Sequence, residues 1–323
     1  MTPDRFDDLD RGLLHALQID GRAPFRRIGE VLGVSDQTVA RRYARLRDAR
    51  ALRVLGLSDP VLVDQAQWLI RVRAVPESAG EIADALARRS DVSWISMCSG
   101  GTEIFCTAYG AGVDPLLLEV LPRTRQVLDV HADRVLHIFY GGAGEPFTKH
   151  GPLDADQVAR LARHLPEPAA PPTLDAADRR MLEVLRRDGR AAVEQLTAAT
   201  GMSAGTVRRR LRDLRAGGVL HLDVDADIGV LDLTAYTMLW LTVAAPGLDA
   251  AGKQLATHPE VAFAAATTGP ANIYAAVGTR DATALYRYLT TSVAALPGIG
   301  AVRTAPVMRT VKAATTHYGT RRP

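Results

Sequence analysis

Leucines recur at helical spacing near the start of the chain. Leu9, Leu13, Leu14 and Leu17 predict an amphipathic helix over residues 8–18, broken by Asp20-Gly21-Arg22. Phe25, Ile28 and Leu32 predict a second helix over 24–32, and Gly33, free to take a positive φ, suits the tight turn that ends it. Ser35 is a good N-cap for a third helix over 36–49. In it Val39, Tyr43 and Leu46 fall on the inward face, while Gln37, Thr38, Arg41, Arg42 and Arg45 are left outward. Three short helices with a glycine turn before the third read as a helix-turn-helix.

The next stretch changes period. Strands are expected at Gln67–Val75, Val92–Cys98, Glu103–Tyr109 and Val127–His137, with helices at Ser78–Arg89 and Asp114–Leu121. This β-α-β-β-α-β order is ferredoxin-like. Gly141–Thr173 reads as a linker, with a small helix at Asp154–His164 and a proline-rich, semi-rigid spacer at 166–172.

The pattern then starts again. Shifted by 168 positions, Asp10–Leu52 lies on Asp178–Leu220 without a gap, and 17 of the 43 pairs are identical. The second set of helices is expected at 176–187, 192–200 and 204–216, with Gly201 as the turn and Ser203 as the cap. Val207, Leu211 and Leu214 face inward; Thr206, Arg208, Arg209 and Arg212 face outward, and Arg210 repeats Arg42. A second β-α-β-β-α-β segment follows at an offset of 169, a repeat of pattern more than of identity. Its strands are expected at Ala235–Val243, Val261–Thr267, Asn272–Val277 and Ile299–Val307, and its helices at Asp249–Thr257 and Asp281–Ala295. The expected architecture is α+β: two winged-helix-like helix-turn-helix domains, 1–58 and 174–226, each followed by a ferredoxin-like domain, 62–140 and 233–315. One face of each sheet is covered by helices. The other needs a partner, either the second sheet of the chain or another chain, which favours a homo-oligomer.

Charge sharpens the picture only locally. The formal net charge of +3 proves no nucleic-acid partner, but Thr38–Arg53 holds six Arg and one Asp, and Thr206–His221 five Arg and one Asp. A charge run is ordinarily a solvated face. These two lie on the third helix of each head, where short polar residues in the first turn could reach base edges and arginines could reach phosphate or guanine. Candidate contacts with double-stranded DNA are therefore Ser35, Gln37, Thr38, Arg41, Arg42 and Arg45 in one head, and Ser203, Thr206, Arg208, Arg209, Arg210 and Arg212 in the other. The heads differ at Gln37 against Gly205 and Arg45 against Asp213, so identical base reading is not expected. Cys98 and Cys106 fall in strands without metal-type spacing, and read as reduced core thiols of a cytoplasmic protein. The chain has neither a signal peptide pattern nor an apolar run of membrane length.

The helix-turn-helix followed by β-α-β-β-α-β resembles the Lrp/AsnC family of bacterial transcription regulators. The matching residues are Leu9-Asp10, Leu14, Leu17, Asp20-Gly21-Arg22, Gly33-Val34-Ser35, Thr38-Val39, Arg42 and Leu46. In the second copy they are Asp175, Asp178, Asp188-Gly189-Arg190, Gly201-Met202-Ser203, Val207, Arg210 and Leu214. Leu296-Pro297-Gly298-Ile299 is similar to the family's entry into its last strand. The resemblance implies two fused units, each with a sheet domain that pairs and binds a small effector, often an amino acid. It places the effector at the turn between the second and third strands: Ser99, Gly100, Gly101, Thr102 and Glu103 here, and Thr268, Gly269 and Asn272 in the second copy. Glu103 keeps the acid of the family pattern on a longer arm and Asn272 lacks it, which favours the first turn; a plain hairpin needs no ligand at either. It also implies recognition helices entering successive major grooves, with the sheet domains setting their spacing.

Two rival readings remain. Siroheme decarboxylases share this two-part fold, but their chemistry needs histidines and arginines around a tetrapyrrole. The candidates here are the scattered His131, His137, His258 and His317. A scaffold that lost effector binding is the other. No glycine loop runs from a strand into a helix to cradle phosphate, Thr148-Lys149-His150 is an isolated basic tripeptide, and no catalytic constellation, metal site or cofactor is expected.

Overall fold

The computed structural model describes residues 6–58, 66–142, 145, 149, 151–162, 164, 166–226, 233 and 235–314. The junctions expected at 59–61 and 227–232, together with Thr148, His150 and His317, lie outside the described residues. The chain divides into two compact units, and neither is continuous in sequence. A helical unit takes residues 1–63 and 143–232; a sheet unit takes 64–142 and 233–323.

In the helical unit the first head holds α1 (Asp8–Ile19), α2 (Phe25–Leu32), α3 (Asp36–Asp48) and β1 (Leu52–Ser58). Asp7 caps α1 through a reciprocal pair: its carboxylate accepts from the Asp10 amide at 3.0 Å, and its own amide donates to the Asp10 carboxylate at 3.3 Å. Leu13, Leu14, Leu17, Ile28, Val39 and Leu46 close the core of this head. The strand β1 does not stay with it. It pairs antiparallel with the corresponding strand of the second head over seven residues, from Leu52 opposite Ala226 to Ser58 opposite Leu220. Neither strand is marked in the sequence pattern. The linker is also part of this unit. Its helix, α6 (Ala155–Ala162), lies on the first head, where Leu153 and Leu161 join the core and Gln157 Nε2 donates to the Val31 carbonyl at 2.9 Å. The proline stretch lies on the second head, with the Ala169 amide donating to the Ala216 carbonyl at 2.8 Å. The expected spacer is therefore packed on both heads.

The second head repeats the first with α7 (Ala176–Arg187), α8 (Val193–Thr200), α9 (Ala204–Ala216) and β6 (Leu220–Ala226). Its core is Met181, Leu185, Leu196, Val207, Leu211 and Leu214.

The sheet unit takes β2 (Gln67–Ala74), α4 (Pro76–Ala87), β3 (Val92–Cys98), β4 (Glu103–Tyr109), α5 (residues 113–123, with a π-turn at Leu116–Val120) and β5 (Val127–Tyr140) from the first repeat. From the second it takes β7 (Ala235–Val243), α10 (Leu248–Leu255), β8 (Val261–Thr267), β9 (Ile273–Thr279), α11 (residues 282–293, ending in a π-turn at Leu289–Val293) and β10 (Ile299–Lys312). The two last strands are longer than their periodicity predicts, and the extra length joins the sheets. Strand β5 pairs with β2 through Arg134 and with β8 from Val135 on; β10 pairs with β7 through Pro306 and with β3 from Val307 on. The result is a closed eight-strand barrel in the order β10-β3-β4-β2-β5-β8-β9-β7. The two sheets thus pair within one chain, and closure leaves no open edge.

Alternation sorts the strand residues into layers. In β2, Ile70 and Val72 meet the helices, while Leu69 joins Phe105, Met238, Trp240, Tyr274 and Ala305 between the sheets. Cys98 and Cys106 are free and buried, and burial pushes both thiols up to about 12. No helix among the described residues is long and apolar enough to cross a membrane.

Candidate nucleic-acid interface and ligand pocket

In each head the turn glycine takes a left-handed φ, 71° at Gly33 and 75° at Gly201. The serine after it caps the third helix: Ser35 Oγ accepts from the Thr38 amide at 3.1 Å, and Ser203 Oγ from the Thr206 amide at 3.2 Å. Ser35, Gln37 and Arg41 are exposed on the first head, as are Ser203, Arg208, Arg209 and Arg212 on the second; Thr38 and Thr206 are half-buried.

The remaining arginines do something the helical wheel does not show. Arg42 is half-buried and turned back to the start of α1, where Nη1 donates to Asp7 at 2.6 Å and to Asp10 at 3.3 Å; Arg45 also pairs with Asp10. In the second head Arg210 Nε donates to Asp178 at 2.9 Å, its Nη2 pairs with the same carboxylate, and it also reaches the Thr173 carbonyl at 3.1 Å. Asp10 and Asp178 are buried. Burial works to raise the Asp178 carboxyl, but Arg210 and the Asp175 amide outweigh it and hold it below its ordinary value. Asp7 is lowered in the same way, with the Asp10 amide and Arg42 outweighing burial. Arg42 and Arg210 thus lock the third helix to the first, while Arg41, Arg208, Arg209 and Arg212 carry the outward charge.

The Asp-Gly-Arg breaker is the joint between the heads. Arg22 reaches into the second head, donating to the Gly189 carbonyl at 2.8 Å and the Ala191 carbonyl at 2.9 Å. Arg190 reciprocates to the Gly21 carbonyl at 2.7 Å and the Ala23 carbonyl at 3.1 Å. Each aspartate holds its own turn, Asp20 accepting from the Arg22 amide and Asp188 from the Arg190 amide. Glycine is required because the facing strand comes so close: a Cβ on Gly189 would lie 2.7 Å from the Leu55 carbonyl carbon. The clasp is not symmetric. Arg190 lies over the rings of Phe25 and Tyr43, at 4.4 and 5.5 Å, and Arg215 pairs with Asp20 at 2.9 Å. At the positions matching Phe25 and Tyr43 the second copy has Val193 and Leu211. Within the helical unit the clasp and the β1–β6 ribbon join the two heads directly.

In the sheet unit the two candidate turns differ. At the first, Ser99, Gly100 and Gly101 all take positive φ, and Thr102 Oγ1 donates to the Ser99 carbonyl at 3.1 Å. Glu103 is buried, accepting from Ser99 Oγ at 3.1 Å and from Arg303 at 3.1 Å, with Arg71 at 3.6 Å. At the second turn, Thr268 is tied to the Arg134 backbone in both directions, at 2.8 and 2.9 Å. Asn272 folds onto Val243, accepting from its amide at 2.9 Å and donating to its carbonyl at 2.8 Å. Gly269, with φ 96°, precedes Pro270 and Ala271, and these two residues line a pocket of about 260 Å³. Open space therefore lies at the second turn, whereas the acid of the first is already occupied.

Arg71, Asp133, Trp240 and Arg303, which also line this pocket, were missed from the sequence. Their signal was present: Arg71 and Arg73 alternate with Ile70 and Val72, and Asp129, His131 and Asp133 repeat at period two, so each strand carries a polar row on its sheet-facing side. Of the candidate histidines, His131 lines the pocket, His137 lies against Phe139, and His258 shares a hydrogen bond with Tyr288.

Comparison with known proteins agrees with this layout. The AsnC-type helix-turn-helix domain profile matches residues 6–47 and 174–215, and the Lrp/AsnC ligand binding domain profile matches 236–316. An uncharacterized HTH-type transcriptional regulator of Pyrococcus furiosus is 30% identical over 101 residues, 31% of this chain and 68% of its own length. The chain belongs to the Lrp/AsnC family. The HTH-type transcriptional regulator FL11 of Pyrococcus horikoshii is 26% identical over 143 residues, 44% of this chain and 94% of its own length. This Lrp/AsnC chain is thus about two such regulators long, and it is a transcriptional regulator with DNA-binding and ligand-binding domains. Among solved structures, the siroheme decarboxylase NirDL aligns over 98% of this chain and 95% of its own, with a TM-score of 0.63 and 13% sequence identity. That likeness is one of fold.

Proposed function

We propose that this Lrp/AsnC chain reads one asymmetric DNA site with two unequal heads, and that a small effector bound in the sheet unit, an amino acid in the family's manner, modulates that binding. The observation that carries the reading is the pair of exposed arginine rows on α3 and α9, held by caps, ion pairs and the inter-head clasp in a single unit. A dimer of ordinary family members offers two identical heads. Here Gln37 stands against Gly205, and Ala40 against Arg208. Base contacts can therefore differ while phosphate contacts remain. An effector changes DNA affinity only by binding one arrangement of the protein better than another.

The enzyme reading rests on likeness of fold. The pocket volume of about 260 Å³ is below the roughly 300–1,000 Å³ of sites that take drug-sized ligands, which suits a small metabolite better than a tetrapyrrole.

The test is DNA binding across a salt series, on sites selected from random duplexes. Arg41→Ala and Arg209→Ala should each flatten the slope of log affinity against log salt by about one for every phosphate left without its arginine. Salt-independent binding, or slopes unchanged in both variants, would sink the two-headed reading.

A further inference from the structure

We infer that the two heads divide the work on one DNA site. The first head reads an adenine through Gln37; the second grips the phosphate backbone and selects bases weakly. The inference rests on the regulator reading and says what each half of the asymmetric site contains.

The third helices look alike until their arginines are sorted by partner. The helix α3 holds four Arg and two Asp, and α9 five Arg and one Asp. In α3 three arginines are taken up by carboxylates: Arg42 by Asp7 and Asp10, Arg45 by Asp10, and Arg47 by Asp48 at 3.5 Å. Arg41 is left, exposed and without an ion pair among the described residues. In α9 Arg210 is taken up by Asp178 and Arg215 by Asp20. Three exposed arginines, Arg208, Arg209 and Arg212, are left without an ion pair among the described residues. An arginine that shares a carboxylate has less charge to give a phosphate, and phosphate contacts set affinity without regard to sequence. The second head therefore has the stronger hold on the backbone.

The first turn of each helix, the end that meets base edges in a helix-turn-helix, runs the other way. The first head presents Asp36-Gln37, and the second Ala204-Gly205. The threonines that follow do not distinguish the heads, since Thr38 and Thr206 each share a hydrogen bond of 2.9 Å with the capping serine. The Gln37 side chain is exposed and has no hydrogen-bond partner among the described residues. Its amide matches the N6 and N7 edge of adenine, a bidentate pair. Asp36 puts a negative charge beside it, which opposes docking that rests on phosphates alone. At Gly205 there is nothing to read with. Packing does not demand the glycine: it sits in helical backbone, and a Cβ there would come no closer than 3.9 Å to Ser203 Oγ. A side chain fits, so its absence costs the head a base contact without sparing it a clash.

Site selection from random duplexes, then titration of the full chain on the selected duplex and on a scrambled one, tests this. One half of the selected site should carry a strong preference that includes adenine, and the other half should be close to even. Gln37→Ala should erase the adenine preference and cost about five- to hundredfold on the selected duplex, with the scrambled duplex and the salt slope unmoved. Arg208→Ala combined with Arg212→Ala should weaken both duplexes by the same factor and flatten the slope of log affinity against log salt by about two. Gly205→Gln should raise an adenine preference in the second half. All four positions are exposed, and an unchanged unfolding temperature checks that each variant keeps its fold. Two equally selective halves, an adenine preference that survives Gln37→Ala, a double arginine variant weakened on the selected duplex alone, or a Gly205→Gln chain that selects the parent's site would overturn the division. Salt-dependent binding by the parent chain would leave the regulator reading standing in each of those cases. Salt-independent binding to every duplex would overturn both.

Discussion

The helical and sheet units contain the same duplication but have kept different things. In the helical unit the two copies retain 17 identities in 43 residues, and several of those identities meet at the joint: Gly21 and Gly189, Arg22 and Arg190. A reciprocal clasp needs its chemistry twice, because each arginine uses the backbone that the other copy's turn presents. In the sheet unit the copies share little beyond alternation. Residues that meet between the sheets have become unlike partners: Arg71 lies against Trp240 at 4.7 Å, and Phe105 stacks on Tyr274 at 4.9 Å. Apolar burial and strand pairing tolerate such exchange because neither depends on one particular side chain. Symmetry is thus retained where two heads must be joined, and lost where apolar burial and strand pairing suffice.

The largest effect should come from the ion pairs under the third helices. Arg210→Ala strands the buried Asp178 and should cost the second head about 3–4 kcal/mol. Arg42→Ala should cost the first head less, about 1–2 kcal/mol, because Arg45 remains on Asp10. Denaturant unfolding of the two variants measures the difference, and equal losses would remove the contrast between the heads. The Asp178 carboxyl is lowered in the fold. Its stabilisation is therefore complete above the unfolded value of about 3.9, and is lost as pH falls through the folded one. Next come the clasp arginines. Arg22→Ala should cost about 2 kcal/mol, and Arg190→Ala about 3 because it also uncovers the rings of Phe25 and Tyr43. Both should loosen hydrogen exchange along the β1–β6 ribbon while leaving the barrel strands protected. Loosening of β2 to the same degree would mean that the two units do not open separately.

Much of this was legible in the sequence, and the gaps have identifiable causes. The head helices, their caps and turn glycines could be read because each depends on residues within about four positions of one another, as with Ser35 and Thr38. Strands β1 and β6 could not, since each finds its partner about 170 residues away and neither carries a clear alternation. Asp20-Gly21-Arg22 was visible as a helix breaker, but its arginine acts on another copy of itself. The outward face of the third helix was misjudged at Arg42 because a long side chain can fold back to a buried acid 32 positions earlier, as Arg210 does in the second head. In the candidate ligand site the turns were found and the pocket was not. Its Arg71, Asp133 and Trp240 come together only when two sheets separated by a whole head close into a barrel.

The smallest effect tests the ribbon that joins the heads, and its sign depends on pH. Asp223 lies on β6 opposite Leu55, and burial pushes its carboxyl up to about 6, an effect countered in part by the Val224 amide and reinforced by Asp225. The unfolded value is about 3.9. A folded value above it means that the native ribbon prefers the protonated acid: full stability holds below about 4 and is lost as pH rises through about 6. Asp223→Asn removes the titration. Relative to the parent chain it should change nothing near pH 4, and should stabilise the helical unit by about 1–2 kcal/mol near pH 8, less than the full linkage because the side chain is partly exposed. Unfolding midpoints of both proteins at the two pH values decide it. A gain of equal size at both would show that the asparagine packs better for reasons unrelated to charge. A gain confined to high pH would mean that the joint between the heads loosens as Asp223 ionises, with no comparable acid on β1, whose facing residue is Leu55.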